Sequence, residues 1–200
     1  MEENNSCETN RSEVVNMKLK SRNELSALLK DLNLTGTAAF IGCAECYYEF
    51  AFLDRWPGIA YFIDVWAILD TPGFSGHGED TDAGQEARYQ RILARAEKYH
   101  GRCNVKRDTS EQAVGDFRDG FFDFVYLDAQ HDYQSIKRDL ELWYPKLHSG
   151  SVFAGHDYLS GHFNGQDYGV KQAVTEFAAA HGLQVHVIPE AWPSFWMVKP

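Results

Sequence analysis

Asp128, His131, His156 and Asp157 are the residues of this 200-residue chain best equipped for chemistry, because carboxylates and imidazoles exchange protons and hold cations near neutral pH. They lie in two runs, Phe122-Asp123-Phe124-Val125-Tyr126-Leu127-Asp128-Ala129-Gln130-His131-Asp132-Tyr133 and Ser151-Val152-Phe153-Ala154-Gly155-His156-Asp157-Tyr158. Each run is apolar with the character of a strand and stops on a carboxylate, with a histidine beside it or one helical turn beyond. Two parallel strands built this way deliver all four side chains to one edge of a sheet. In open α/β sheets that carboxyl edge is where ligands bind.

The elements that must position these residues follow from the hydrophobic periodicity. The spacing predicts strands over Ala38–Gly42, Ile59–Asp64, Asn104–Asp108, Phe122–Asp128, Ser151–His156, Val185–Ile188 and Phe195–Lys199, and helices over Ser21–Leu32, Glu45–Asp54, Gly84–Tyr99, Gln134–Tyr144 and Tyr168–His181. After Asp128, the residues Tyr133, Ile136, Leu140, Trp143 and Leu147 recur at three- and four-residue steps, so one stripe packs on the sheet while Lys137, Arg138 and Glu141 face water. Pro145 limits that helix and Ser149-Gly150 turns the chain into the next strand. His131 and Asp132 then stand at the positive end of the helix, where an anionic ligand is favoured and an imidazole pKa is expected to fall. Alternating strands and helices imply right-handed βαβ units and a mainly parallel, doubly covered sheet in a single α/β domain. The expected organisation is a disordered N-terminal tail over residues 1–20, a helix or lid over 21–36, and one folded domain over 37–200.

A net charge of -10 argues against a nucleic-acid groove, since affinity for a polyanion comes mainly from cationic side chains. No stretch is long and apolar enough to span a bilayer, and the polar N-terminus lacks the apolar core of a signal peptide, so a soluble cytoplasmic protein is expected. Four cysteines are too few and too unevenly placed for a disulfide scaffold. Cys43-Ala44-Glu45-Cys46, at a strand-to-helix junction, does allow a thiol oxidoreductase reading. The acidic loop Gly76–Asp82 invites a calcium reading, but Arg91 stands where an EF-hand needs its twelfth-position Glu, and a solvated lid is the simpler expectation. Asp128 and Asp132 also suit the role of helix N-cap.

The first strand ends in Phe40-Ile41-Gly42-Cys43, where a glycine lets backbone approach a ligand. Asp64 ends the next strand 64 − 42 = 22 residues later, close to the offset of ~20 at which an acidic side chain takes a ribose hydroxyl. Arg55-Trp56-Pro57-Gly58, the strand ending at Asp64 and followed by Trp66, the Asp128 and Asp157 runs, and Tyr168-Gly169-Val170-Lys171 together resemble the class I S-adenosylmethionine-dependent methyltransferases, within them the type 24 family. The resemblance runs in consistent order from about Thr37 to Pro200. It implies a Rossmann-like sheet of seven strands with an antiparallel last strand, and S-adenosyl-L-methionine as cofactor. It also implies cofactor contacts from Gly42, Asp64, Trp66, Asp108, Thr109 and Asp128. Related cation-dependent O-methyltransferases and sugar O-methyltransferases imply Asp128 and His131 as catalytic residues, with His131 the base, and Asp128, Asp157 and His156 as a site for Mg²⁺ or another divalent cation. The partner implied is a small acceptor methylated on oxygen, with nitrogen the alternative, bound by loops 66–84 and 159–167 and the N-terminal helix; Trp66, Phe74 and Phe163 in those loops suggest a partly apolar acceptor, and a homodimer is left open. The chain departs from the family at Phe40, where an acidic residue is usual, and at Cys46, where a glycine is usual. A methyltransferase fold that has lost its cofactor and serves as a binding module is therefore the alternative, ahead of the thiol oxidoreductase.

Overall fold

Strands form most readily where β-branched and aromatic residues run together between turn formers, and nine strands form among the described residues. The structure, a computed structural model, describes residues 17–68 and 81–200. The strands are β1 (Thr37–Ile41), β2 (Ile59–Asp64), β3 (Cys103–Arg107), β4 (Phe122–Leu127), β5 (Leu147–Gly155), β6 (Gly161–Phe163), β7 (Gln166–Tyr168), β8 (His186–Ile188) and β9 (Ser194–Val198). The α-helices are α1 (Leu25–Asp31), α2 (Tyr47–Leu53), α3 (Asp82–Ala96), α4 (Ser110–Ala113), α5 (Tyr133–Trp143) and α6 (Val170–His181). Seven strands make one sheet in the order β3-β2-β1-β4-β5-β9-β8, with β9 antiparallel to both neighbours and the other pairings parallel. This is the doubly wound α/β architecture that the sequence leads one to expect.

Alternation along each strand divides the core into two layers. Ala38 and Phe40 of β1, with Phe124 and Tyr126 of β4, face the layer that also holds Phe52 and Trp56; Ala39 and Ile41, with Val125 and Leu127, face the layer of Ile136, Leu140, Trp143 and Val174. Phe40 has no exposed surface and lies within ring contact of Tyr48, Phe52, Phe62, Phe124 and Tyr126. The α5 stripe buries Ile136, Leu140 and Trp143 as expected, together with Asp139, whose carboxyl accepts from Ser110 Oγ.

Local differences from the sequence reading have physical causes. Strand β5 starts at Leu147 rather than Ser151, so Leu147 leaves the α5 stripe and Ser149-Gly150 lie inside the strand, where Gly150 at φ 85° and a shift of register between Phe122 and Phe124 let the pairing with β4 continue. The helix expected from Glu45 starts at Tyr47, because Cys46 takes a left-handed φ of 54° that cannot open an α-helix. Tyr168 belongs to β7 rather than to α6, which begins after Gly169. The segment 159–167, expected as a loop, contains the β6–β7 hairpin, closed by Asn164-Gly165 with both φ angles positive. The tail expected over 1–20 falls outside the described residues up to 16, as do Phe74 and the lid expected at 76–82 up to residue 80. No helix among the described residues is long and apolar enough to cross a membrane.

Candidate active site

Parallel pairing of β4 with β5 sets Leu127 opposite Gly155, so the residues that follow emerge side by side at the carboxyl edge. Asp157 takes a left-handed φ of 51°, a conformation costing a non-glycine residue ~1 kcal/mol or more, and its carboxylate lies among the histidines. His131 Nε2 is 2.8 Å from Asp157 Oδ2 and 3.6 Å from Asp128 Oδ1. His156 Nδ1 is 3.0 Å from Asp157 Oδ1 and 3.8 Å from Asp128 Oδ1. The four residues named from the sequence therefore converge. Asp132, not Asp128, caps α5, accepting from Gln134 N and Ser135 N at 3.1 Å each.

Within this group, single donor atoms of Asp128, His131 and Asp157 all come within 4.8 Å of one another, an arrangement suited to a cation. His131 Nε2 is buried yet makes no aligned hydrogen bond among the described residues, despite its short approach to Asp157. A buried polar atom without a bond is costly, and a cation shared with the two carboxylates would satisfy it. Burial alone would lower the His131 pKa, but the carboxylates of Asp128 and Asp157 outweigh it and raise the pKa to about 9. The depression expected from the helix start is thus reversed, because two carboxylates within 4 Å act more strongly than a helix dipole. Burial works to raise the Asp157 pKa, yet the two histidines hold it below the usual carboxylate range.

The residues expected around a nucleotide cofactor gather at the ends of β1, β2 and β3. Gly42 has φ +81°, and a Cβ there would meet Ala129 Cα and Asp128 O at 2.4 Å, so only glycine lets the β1 and β4 loops approach this closely. Asp64 organises the loop: its Oδ2 accepts from Cys43 N and Ala44 N at 2.8 Å each, and its Oδ1 from Trp66 N at 3.0 Å. A carboxylate offers about four lone-pair sites, so Oδ1 keeps one for a further donor. Trp66 is fully buried, its indole N–H donating to Ala44 O at 2.9 Å. Asp108 pairs with Lys106 at 3.1 Å, while Thr109 caps α4. Burial raises the pKa of both Cys43 and Cys46, the reverse of what a nucleophilic thiol pair requires.

Sequence reading missed three participants. Arg22, from a short 3₁₀ turn ahead of α1, puts Nη1 3.5 Å from Asp128 Oδ2 and 3.4 Å from the Tyr126 hydroxyl, with its guanidinium over the Tyr48 ring. Glu190 clamps that segment, accepting from Ser21 Oγ at 2.8 Å and Arg22 N at 3.1 Å. Glu49 of α2 is 4% exposed. Burial above all, then the charges of Asp128 and Asp64, push its pKa up to about 8 against the opposing effects of its own backbone N–H and Arg22. A single acidic residue in the otherwise apolar helix Tyr47-Tyr48-Glu49-Phe50-Ala51-Phe52-Leu53 was the available signal. On the far side of His131 stands an aromatic wall: Tyr168 stacks on the imidazole at 5.1 Å, and Phe163 and Trp192 contact Tyr168 in turn.

A family model described as a methyltransferase domain, type 24, matches residues 25–158. The chain belongs to this methyltransferase-domain family. Among curated proteins, 97 residues, 48% of the chain, are 31% identical to the uncharacterized protein y4gI of Sinorhizobium fredii. The match covers 10% of that protein, so the chain spans about a tenth of the length of the curated relative it matches. Of solved structures, the O-methyltransferase TomG of Streptomyces achromogenes, in complex with SAM, is similar at a TM-score of 0.60 and 14% identity, over 89% of this chain and 79% of that one. An O-methyltransferase from Bacillus cereus in complex with SAH has a TM-score of 0.57 at 12% identity, over 98% and 90% of the two chains. A spermidine synthase from Thermotoga maritima has a TM-score of 0.59 at 13% identity, over 90% and 61%. At these identities the likeness is one of fold, and the fold alone does not choose between methyl transfer and other group transfers.

Proposed function

We propose that the protein transfers a methyl group from S-adenosyl-L-methionine to an oxygen of a small, partly apolar metabolite in the cytoplasm. Family membership supports the cofactor, and the convergence of Asp128, His131 and Asp157 at the carboxyl edge supports the acceptor chemistry. In this reading the Gly42 backbone, Asp64, Asp108 and Thr109 bind the cofactor, and Trp66 holds the loop that carries the first of these contacts. The segment 21–36 acts as the lid of a catalytic domain over 37–200, with Arg22 reaching the site. The aromatic wall of Tyr168, Phe163 and Trp192 receives the apolar part of the acceptor.

A divalent cation such as Mg²⁺, held by Asp128, Asp157 and His131, would lower the pKa of the acceptor hydroxyl and fix its direction. The observation that carries this assignment is His131 Nε2, buried between two carboxylates with no aligned hydrogen bond to either. It favours exchanging the roles first read for the two histidines. His131, raised to about 9, is protonated near pH 7 in the cation-free protein and is poorly placed as a base there. His156, with Nδ1 against Asp157, has its other ring nitrogen available for the acceptor proton. Methyl transfer itself is an in-line displacement, so the chain's part is to align acceptor oxygen and methyl donor and to exclude water.

The test is turnover with S-adenosyl-L-methionine and a panel of small hydroxylated acceptors, read as S-adenosylhomocysteine by mass spectrometry with and without chelator. Activity lost in chelator and restored by Mg²⁺ or Mn²⁺ supports the reading. His131→Ala is expected to abolish Mn²⁺ binding, whereas a variant that keeps Mn²⁺ affinity and loses only kcat returns His131 to the role of base. The lost-cofactor reading draws on Phe40, which offers no carboxylate, and on the three backbone donors already engaging Asp64. Absence of binding to cofactor and product at millimolar concentration would establish it over methyl transfer.

A further inference from the structure

The structure leaves one buried acid unaccounted for in the scheme above. Glu49 sits in the first turn of α2, on the arc between Tyr48 and Phe52, which pack on Phe40, and Phe50, which packs on Phe62. That arc faces β1 and β2. The charges that reach the Glu49 carboxyl belong to Asp64 at the end of β2, Asp128 following β4, and Arg22. Since β1 lies between β2 and β4, the carboxyl stands over the end of β1, next to the Gly42–Cys46 loop, whose Cys43 and Cys46 thiols also feel its charge. Apart from its own backbone N–H, no described residue donates a hydrogen bond to it or forms an ion pair with it. In a side chain 4% exposed, a carboxyl whose one donor is its own backbone N–H can take a further donor or a cation.

The neighbouring polar groups are engaged elsewhere. Arg22 is engaged with Asp128, the Tyr126 hydroxyl and the Tyr48 ring. Asp64 is taken up by three backbone N–H groups of the loop. Phe40, the β1 side chain on the same layer, is apolar and buried among rings. Three acids, Asp64, Glu49 and Asp128, thus surround the end of β1 with one guanidinium among them. Among the described residues there, Glu49 is the acid that no other residue's donor or cation engages.

S-adenosylmethionine carries a primary ammonium group at its amino-acid end. We propose that Glu49 receives this α-ammonium group, supplying from helix α2 the carboxylate that β1 lacks. The assignment rests on the cofactor reading above. It makes α2, through its first turn, part of the binding site.

The experiment is titration calorimetry of the full chain and of Glu49→Gln with three ligands: S-adenosylmethionine, S-adenosylhomocysteine, and 5′-methylthioadenosine, which lacks the amino-acid end. The expected result is a loss of ~10- to 100-fold in affinity for the first two ligands, the range of a charge-assisted bond, with the third unchanged. The full chain should also release a proton on binding S-adenosylhomocysteine at pH 7, seen as a dependence of the heat on buffer ionisation enthalpy, and Glu49→Gln should not. Equal affinities of the two proteins for S-adenosylhomocysteine overturn the proposal and leave the cofactor reading intact. Equal weakening of all three ligands also overturns it, by assigning Glu49 a role in holding the loop. A larger loss for S-adenosylmethionine than for S-adenosylhomocysteine would transfer the contact to the sulfonium. If the full chain binds none of the three, the cofactor reading itself fails.

Discussion

Glu49→Gln should make the ligand-free protein more stable, by an amount that depends on pH in a calculable way. The Glu49 carboxyl has an ordinary pKa of 4.5 and one of about 8 in the folded protein, chiefly from burial. With the folded value above the unfolded one, the contribution of the neutral carboxyl is intact below pH 4.5 and is lost as pH rises through about 8. Each pH unit in that window costs ~1.4 kcal/mol, because folding must take up a proton the unfolded chain no longer holds. From pH 4.5 to 7 the loss is therefore ~3 kcal/mol, a substantial share of the stability of a typical domain. Glutamine has nearly the same shape and no proton to take up. Urea denaturation of both proteins from pH 4.5 to 8.5 reads the difference, which should grow by ~3 kcal/mol between pH 4.5 and 7 and level off above 8. A difference independent of pH would show that Glu49 ionises freely in the folded state and that its burial costs nothing. A buried acid kept at such a cost, at the end of the strand where a ligand is expected, fits a function that trades stability for binding.

Gly42→Ala should cost ~3 kcal/mol in urea denaturation, since an alanine at φ +81° is strained and its Cβ meets the backbone of Asp128 and Ala129 at 2.4 Å; an unchanged midpoint would mean that the two loops separate freely. Phe40→Asp, which restores an acid to β1, should lose ~4 kcal/mol or more of stability and gain no affinity for S-adenosylhomocysteine, because the side chain lies among five aromatic rings and not in the crevice. A gain in affinity would assign the ammonium site to β1. Arg22→Ala should raise Mn²⁺ affinity several-fold by removing the cation 3.5 Å from Asp128; a fall would mean that Arg22 holds Asp128 in place for the metal.

Much of this arrangement was legible in the chain. Strand β2 spans Ile59–Asp64 as read, because the run from Ile59 to Ile63 is mostly β-branched or aromatic and ends on a turn-forming Asp. The meeting of Asp128 and His131 with His156 and Asp157 followed from two strand cassettes that proved to be parallel neighbours. The β6–β7 hairpin was missed although Asn164-Gly165 is a strong two-residue turn signal, since strands of three residues carry too little alternation to register. Arg22 was not singled out: it meets Asp128 across 106 residues of sequence, and although 21–36 reads as a helix or lid over the site, nothing in its spacing marks which residue reaches in. Glu49 was hidden for another reason. Helical periodicity identifies which face is buried, but not whether that face covers a packed core or the end of a strand where a ligand can sit.

This methyltransferase-family chain is proposed to bind its cofactor despite Phe40 and Cys46. Titration of the full chain with S-adenosylhomocysteine at pH 7 tests it most directly. Saturable binding with one ligand per chain is expected, weakened by Glu49→Gln and by Asp64→Ala. No heat and no thermal shift up to millimolar ligand, with the protein folded, would contradict it and leave a methyltransferase fold that binds something else.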